Sequence, residues 1–260
     1  MKYDTIKKEI AGPVARICLN RPEVRNAFND VLIAEVSDAL DHLSKQSDLR
    51  VLIITAEGST FCAGADFHWM GKMVGASFEE NLADSLKLAD MLAALYRFPR
   101  PTIARVQGSA FGGGVGVAAC CDIVVAAESA VFSFSEVRIG LVPACISPFV
   151  IRRIGEGHAR EYFLTGERVT AQHAHEIGFV NKVVPEIALD DTVNNYVKHF
   201  LSCGPEALRA CKRMLEEVPH MPLQEARDYT ASMIAQLRIS QEGLEGMKAF
   251  LEKRKPAWNV

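Results

Sequence analysis

The chain has 260 residues, 49% of them apolar, and a formal net charge of −3. This length suffices for one large single-core domain, or for a core with a small appendage. The charge gives no basis for nucleic-acid binding, which requires a clustered basic surface, and no apolar run reaches the roughly 18 to 20 residues that span a bilayer.

The N-terminal segment and the cysteines both predict a cytoplasmic protein. Residues 1–8 are mostly polar and charged and lack the apolar stretch of a secretory signal. The 7 cysteines include no C-x-x-C pair, and in a chain of this length such usage is typical of reduced thiols.

The first part of the chain predicts a hairpin followed by a helix. Thr5–Ile6 and Val14–Leu19 alternate apolar and polar residues on either side of Gly12-Pro13, which favours two paired strands. Asn29 or Asp30 can cap a helix. The apolar stripe of that helix consists of Leu32, Val36, Leu40 and Leu43.

Strands and helices then alternate. The continuous apolar run Val51–Ile54 is typical of a strand buried on both faces. A helix is predicted over residues 77–96, because the prolines of segment 98–101 block its continuation. Residues 102–106 and 123–126 are predicted to be short strands.

This alternation predicts an α/β fold with β-α-β units and a mainly parallel sheet. From Ala188 onward almost every segment has a helical pattern. We therefore divide the chain into an α/β core, residues 1–186, and a helical C-terminal region, residues 187–260.

Several common catalytic motifs are absent from the sequence. It contains no G-x-x-x-x-G-K-[ST] phosphate loop, no H-E-x-x-H metal motif and no G-x-S-x-G nucleophile elbow. The 7 histidines have no metal-ligand spacing. We expect no metal site.

A glycine-rich segment, residues 108–116, lies between a predicted strand and the apolar run Val115–Cys120, which can form a helix. A dinucleotide fingerprint starting at Gly112 and Gly114 would need a third glycine where Val117 stands. The unpaired N–H groups of a helix N-terminus suit an oxyanion as well as a phosphate. A tight turn with close packing explains the glycines equally well.

A second turn of small residues, Phe61–Asp66, follows the buried strand. A backbone N–H can point outward here too, with Asp66 as an acid in the first turn of a helix. By itself this turn is explained better as a plain strand-to-helix loop that Asp66 caps.

Glu136 lies between apolar stretches, where loss of water would raise its pKa towards a range useful for proton transfer. The alternative is an exposed or salt-bridged loop acid, with Arg138 as a nearby partner.

Together these segments resemble the enoyl-CoA hydratase/isomerase, or crotonase, family, in order and over nearly the whole chain. The resemblance rests on Asn20-Arg21-Pro22 with Asn26-Ala27, Phe61–Asp66, Gln107–Gly114 with Cys121-Asp122-Ile123, Phe132–Pro143, Leu164–Arg168 and Glu245–Arg254.

The resemblance implies a core of stacked β-β-α units and a helical C-terminal region that forms homotrimers or homohexamers. It implies an acyl-CoA thioester substrate and no separate cofactor, since coenzyme A is part of the substrate. The backbone N–H groups of Ala65 and Gly113 would form an oxyanion hole for an enolate, and Glu136 would be the catalytic acid.

By the same resemblance, further residues would contact the substrate or its coenzyme A. Ala27, Ala63 and Phe67 would lie along the adenine and pantetheine path, and Arg25 would meet a phosphate. The remaining predicted contacts are Asp66, Gly112 and Gly116, with Phe250 and Lys253 reaching the site of a neighbouring subunit.

One departure concerns the chemistry. Two-acid hydratases of this family carry a first glutamate where this chain has Gly116, so that only Glu136 remains. A single acid can serve hydration by acting twice, and it also suits a Δ3-Δ2 isomerase, which only moves a proton between carbons. A catalytically silent CoA-binding protein is a third hypothesis, which the retained Glu136 disfavours.

A finer resemblance, over residues 135–150, is to bacterial methylglutaconyl-CoA hydratases of leucine degradation and their isohexenylglutaconyl relatives, whose substrates carry a distal carboxylate. It implies a branched or carboxylated acyl group. We hypothesise that Arg138 or His68 receives that carboxylate, with a structural ion pair as the alternative role of Arg138.

Overall fold

The computed structural model describes residues 2–259, over which nine strands are interspersed with ten α-helices. The strands are β1 Ile6–Ala11, β2 Val14–Leu19, β3 Val51–Ala56, β4 Thr102–Val106, β5 Ala110–Phe111, β6 Ile123–Ala127, β7 Val131–Ser133, β8 Arg168–Thr170 and β9 Lys182–Val184. The helices are α1 Asp30–Ser44, α2 Phe67–Met73, α3 Phe78–Tyr96, α4 Gly113–Cys120, α5 Ser147–Thr165, α6 Ala171–Glu176, α7 Leu189–Ser202, α8 Pro205–Glu217, α9 Leu223–Ile239 and α10 Gln241–Leu251.

Six strands form the large sheet, in the order β1-β2-β3-β4-β6-β9. Only the β1–β2 pair is antiparallel, with Ile6 opposite Leu19, and the other pairs are parallel. The predicted opening hairpin and the mainly parallel sheet are therefore confirmed. Every residue of β3 is buried, as its continuous apolar run predicted.

Local signals set the helix boundaries where the sequence predicted them. The Asn29 side chain caps α1 by accepting a hydrogen bond from the Leu32 N–H. Ser77 and Glu80 form a reciprocal capping box at the start of α3. Both helices pack on one face of the large sheet and close the main hydrophobic core.

The other face of the large sheet is covered by α7. Its side chains Leu189, Val193 and Val197 pack with residues of β3, β4 and β6 in a second apolar cluster. The strands end at Val184, close to the predicted division at residue 186, yet the first helix beyond it is part of the sheet's packing. The division into two regions stays a prediction.

A small second sheet, in the order β5-β7-β8, was not anticipated from the sequence. Its strands have only two or three residues, too few to give a recognisable alternation. Phe111 pairs with Ser133, which in turn pairs with Arg168. This sheet holds the glycine-rich segment beside the residues that precede Glu136.

None of the helices within residues 2–259 has the length and apolar character needed to cross a membrane. The same residues contain no group of three or more side chains able to hold a metal ion. The C-terminal helices expose several large apolar side chains, namely Leu215, Leu223, Ile239, Leu244, Phe250 and Leu251.

Candidate active site at two joined turns

The two small-residue turns lie against each other. We call residues 61–66 the Ala65 turn and residues 109–114 the Gly113 turn. The Phe61 N–H donates to the Ser109 carbonyl at 3.0 Å, and the Phe111 N–H donates to the Cys62 carbonyl at 2.9 Å. This short parallel ladder joins segments that are almost fifty residues apart in sequence.

Glycines permit the close approach. A Cβ on Gly114 would lie 2.6 Å from the Cβ of Cys62, a separation that real side chains do not adopt. Gly64 has a φ of +92°, a left-handed conformation that strains any residue with a Cβ. A Cβ on Gly64 would also come within 3.3 Å of the Phe111 carbonyl oxygen. The close packing that the sequence offered as a structural explanation for the glycine-rich segment is therefore present in the fold.

Two backbone N–H groups remain without acceptors where the turns meet. Gly113 is the first residue of α4, so its N–H has no intrahelical acceptor. On the other turn, Phe28 accepts a hydrogen bond from the Asp66 N–H and donates one to the Gly64 carbonyl. Within residues 2–259 neither the Ala65 nor the Gly113 N–H donates a hydrogen bond. These are the two donors predicted for the oxyanion hole.

Asp66 fixes the Ala65 turn. One carboxylate oxygen accepts from the N–H groups of His68 and Trp69 at the start of α2, and the other is 2.9 Å from Nη2 of Arg21. Burial alone would raise the pKa of Asp66, but these hydrogen bonds hold it below the ordinary value. Asp66 is buried and fully engaged as cap and ion-pair partner.

Two anchoring residues were recognised in the sequence only as parts of a motif. The buried Asn26 side chain donates to the carbonyls of Glu57 and Thr60, both at 2.8 Å, and accepts from the Arg21 N–H. Arg21 also donates to the Ala27 carbonyl through Nη1. These bonds tie Arg21 and Asn26 to the segment that leads into the Ala65 turn.

Glu136 lies on a 3-10 turn, residues 135–139, which we call the Glu136 turn. Its Oε1 is 3.1 Å from the position that a Cβ on Gly112 would occupy, so the carboxylate faces the Gly113 turn. Its Oε2 is buried without a hydrogen-bond partner within residues 2–259. Burial raises the pKa of this carboxyl, as the sequence predicted.

Arg138 is not the ion-pair partner of Glu136. Its Nε donates to the Gly166 carbonyl at 3.1 Å and its Nη2 to the Thr165 carbonyl at 3.4 Å, both at the C-terminal end of α5. The salt-bridged alternative for both residues is therefore wrong. Nothing in the described residues neutralises the Glu136 carboxylate.

Gly116 is buried in α4 and packs against Ile146, which immediately precedes α5. A Cβ on Gly116 would overlap with Cγ2 of Ile146 and lie 3.5 Å from Cδ2 of Leu92. The position of the absent first glutamate is thus occupied by an apolar side chain. Ile146 covers the side of Gly116 on which a side chain would stand. The predicted contact between Gly116 and the substrate stays a prediction.

The residues predicted along the coenzyme A path surround the Ala65 turn. Arg25 has a φ of +54°, and its carbonyl accepts from the Ala63 N–H at 2.9 Å. Ala27 is buried, whereas Phe67 is 90% exposed at the start of α2. Their contacts with coenzyme A remain predictions.

Phe250 and Lys253 lie apart from these turns. Phe250, on α10, is 83% exposed, and Lys253 follows the helix with a φ of +53°. The helix packs on α9 and on the start of α8, where Glu242 accepts from the N–H groups of Glu206 and Ala207. One chain alone does not bring them to the site, and their reach into a neighbouring subunit stays a prediction.

Comparison with known proteins agrees with this geometry. The family model for enoyl-CoA hydratase/isomerase matches residues 9–260. A putative enoyl-CoA hydratase of Thermus thermophilus is 35% identical, over 94% of this chain and 97% of that protein. The 2,3-dehydroadipyl-CoA hydratase of Escherichia coli is 32% identical, over 94% of each chain.

Solved structures of enoyl-CoA hydratases also superpose on this chain over nearly its whole length. An enoyl-CoA hydratase from Shewanella pealeana superposes with a TM-score of 0.96 at 40% identity, covering 99% of this chain and 97% of that one. Pseudomonas aeruginosa AtuE also gives 0.96, at 32% identity, covering 99% and 100%. The predicted crotonase fold is confirmed, and the chain belongs to the enoyl-CoA hydratase/isomerase family, as an enzyme of the hydratase (lyase) type.

Proposed function

We propose that this enzyme adds water to a 2-enoyl-CoA, holding the thioester oxygen between the N–H groups of Ala65 and Gly113. The observation that carries the proposal is the pair of unpaired donors at the joined turns, with the half-buried Glu136 carboxylate beside them. Such donors stabilise the negative charge that develops on the oxygen of the enolate, and each contributes about 3 kcal/mol to the transition state.

Glu136 serves as the single acid–base group. As a carboxylate it accepts a proton from water while the water oxygen bonds to the β carbon, and the electrons of the double bond move onto the thioester as an enolate. The same proton then passes from Glu136 to the α carbon, and the enolate collapses to the 3-hydroxyacyl thioester. A raised pKa suits this exchange, because acid and base forms are then closer in energy near neutral pH.

Isomerisation of a 3-enoyl-CoA is the second candidate. It is favoured by the packing of Ile146 on Gly116, which leaves no room for a second acid on that side. Glu136 would remove a proton from the α carbon and return it to the γ carbon, with the same enolate held by the same donors. A catalytically silent CoA-binding role is disfavoured by the retained, desolvated Glu136.

For the acyl group, we propose a branched or carboxylated chain such as 3-methylglutaconyl. The Escherichia coli relative is named for 2,3-dehydroadipyl-CoA, whose acyl group also ends in a carboxylate. The exposed His68, in the first turn of α2, is one candidate to receive it. Arg138 is the other, although two of its nitrogens already donate to carbonyls.

For assembly, we propose a homotrimer or homohexamer located in the cytoplasm. The support is the set of large apolar side chains that α9 and α10 leave exposed, together with the family resemblance. In such an assembly Phe250 and Lys253 would reach the coenzyme A bound by a neighbouring subunit.

Parallel assays test the reaction. Loss of enoyl-thioester absorbance with crotonyl-CoA or 3-methylglutaconyl-CoA indicates hydration, and its appearance from a 3-enoyl-CoA indicates isomerisation. Glu136→Gln is expected to lower turnover by about 10²–10⁴-fold while binding of the CoA ester survives. The exposed Glu128 provides the matched control, Glu128→Gln. Full activity in Glu136→Gln would remove Glu136 from the mechanism.

A further inference from the structure

A cavity of about 470 Å³ lies beside the small sheet. The residues that line it are Phe111, Ser133, Ser135, Arg138, Gly166 and Arg168. Two of them are cations and none is an acid. The cavity adjoins the Glu136 turn, which contributes Ser135 and Arg138, but it has no assigned part in holding the thioester.

The sheet register places one side of the cavity. Phe111, Ser133 and Arg168 are cross-strand neighbours in a single row. Because side chains alternate along a strand, these three share the face that lines the cavity, where Ser133 is itself buried and donates to the Gly166 carbonyl. Their neighbours Ala110, Phe132 and Val169 point to the core. The Arg168 guanidinium lies over the Phe111 ring at 5.8 Å from its centroid, a contact that holds it beside another residue of the cavity lining.

Arg138, from the Glu136 turn, is the second arginine of the lining. Its hydrogen bonds to the carbonyls of Thr165 and Gly166 hold the guanidinium at the end of α5. Gly166 has a φ of +61°, and a Cβ there would lie only 3.1 Å from Nε of Arg138. The glycine therefore makes room for the arginine, whose position is determined by the fold.

The two arginines have no counter-charge. Among the ion pairs within residues 2–259, none includes Arg138 or Arg168. Bringing two like charges to one concavity is unfavourable unless an anion joins them. Guanidinium groups bind carboxylate and phosphate oxygens well, because their N–H donors match the spacing of those oxygens.

We propose that this cavity binds a small oxyanion, a carboxylate or a phosphate group, between Arg138 and Arg168 with the Ser135 hydroxyl as a further donor. It is separate from the donors that hold the thioester oxygen: along β5 and the residue after it, Phe111 lines the cavity, whereas the next position, Gly112, faces the Glu136 carboxylate. With Arg138 engaged by this anion, His68 is the candidate for the distal carboxylate of the acyl group. A bound anion would tie the Glu136 turn to β8.

Binding of inorganic phosphate to the full-length protein tests the site directly. Titration calorimetry is expected to give one saturable event in the wild type, weakened about tenfold or more in Arg168→Gln because a charge-assisted contact is lost. Arg160→Gln, which removes another exposed arginine, on α5 and outside the cavity lining, is the control and should leave the affinity unchanged. Displacement of phosphate by malonate would show that the site also binds carboxylates. If malonate does not displace phosphate, the site is confirmed as specific for phosphate.

The proposal would be overturned by the absence of saturable phosphate binding to the wild type, by equal affinity in Arg168→Gln, or by an equal loss of affinity in the control. Competition between phosphate and CoA would also overturn it, since the anion would then occupy a coenzyme A phosphate position. Arg168→Lys, which retains the charge, should lose less affinity than Arg168→Gln at an unchanged melting temperature. None of these measurements uses turnover, so the result stands even if the proposed hydration fails.

Discussion

Adding a glutamate at position 116 is expected to disturb the packing of α4 before it can supply a second catalytic acid. Gly116 is one of the seven buried residues of this eight-residue helix, so the helix has little freedom to move. A Cβ there would overlap with Cγ2 of Ile146 and lie 3.0 Å from its Cβ. Ordinary carbon–carbon contacts are about 3.5–4.0 Å, so Ile146 must shift.

The overlap with Ile146 sets the expected loss of unfolding free energy. Overpacking of a filled core costs about 1–3 kcal/mol, and Gly116→Ala is expected to lose that amount of unfolding free energy. Gly116→Glu should lose more, because its carboxylate would enter an apolar contact without a partner. We therefore expect no gain in crotonyl-CoA hydration from Gly116→Glu alone.

Truncating Ile146 should relieve the steric overlap that a side chain at position 116 creates. Ile146→Ala alone should cost about 2–5 kcal/mol through the cavity it leaves. The double variant Gly116→Ala/Ile146→Ala should be less destabilised than the sum of the single variants by about 1–3 kcal/mol. Gly116→Glu/Ile146→Ala then has space for an acid at the position of the family's first glutamate, and it is the variant expected to gain hydration.

Chemical denaturation of the wild type, both alanine variants and their combination measures the coupling. Loss of enoyl-thioester absorbance, followed in the two glutamate variants, measures the gain. If Gly116→Ala were as stable as the wild type, or if the two alanine substitutions were additive, Ile146 would not fill the position as argued.

Three further predictions concern the groups around the joined turns. Burial raises the pKa of Glu136, so the folded protein holds this proton at pH values where the unfolded chain has released it. Wild-type stability should therefore fall as pH rises above the ordinary glutamate value, whereas Glu136→Gln should lack this decrease in melts across pH. Asp66→Ala should cost about 3 kcal/mol, from the lost cap and the orphaned Arg21, against almost nothing for the exposed Asp41→Ala. The Asp66 contribution, whose carboxyl pKa is lowered, should be present at neutral pH and disappear as pH falls through the lowered pKa; an acid-insensitive difference between wild type and variant would contradict this. Gly112→Ala, with a φ of +49° and a Cβ 3.1 Å from Glu136 Oε1, should lower kcat about tenfold in the absorbance assay, and an unchanged kcat would separate that contact from the chemistry.

The sequence by itself determined the elements whose causes are local. Helical spacing and a cap at Asn29 set α1, an apolar run set β3, and two prolines ended α3. These signals act within a few residues along the chain, so they can be read without knowing what packs against them. Six motif segments in order over nearly the whole chain, among them the two small-residue turns and the Glu136 segment, were also enough to place the chain in its family.

Tertiary structure decided the relations between segments distant in sequence. The ladder between the Ala65 and Gly113 turns, the small sheet, and the ion pair of Arg21 with Asp66 each join such segments. Strands of two or three residues carry too little periodicity to be predicted, and no local pattern names the partner of a charged side chain.

The same distinction applies to the chemistry of the site. From the sequence, Gly116 marked only the absence of a glutamate, and Arg138 was a plausible partner for Glu136. The fold places Ile146 against Gly116 and directs Arg138 to the end of α5. Which side chain fills a space, and which charge stays unpaired, depends on contacts between elements, and these exist only once the chain has folded.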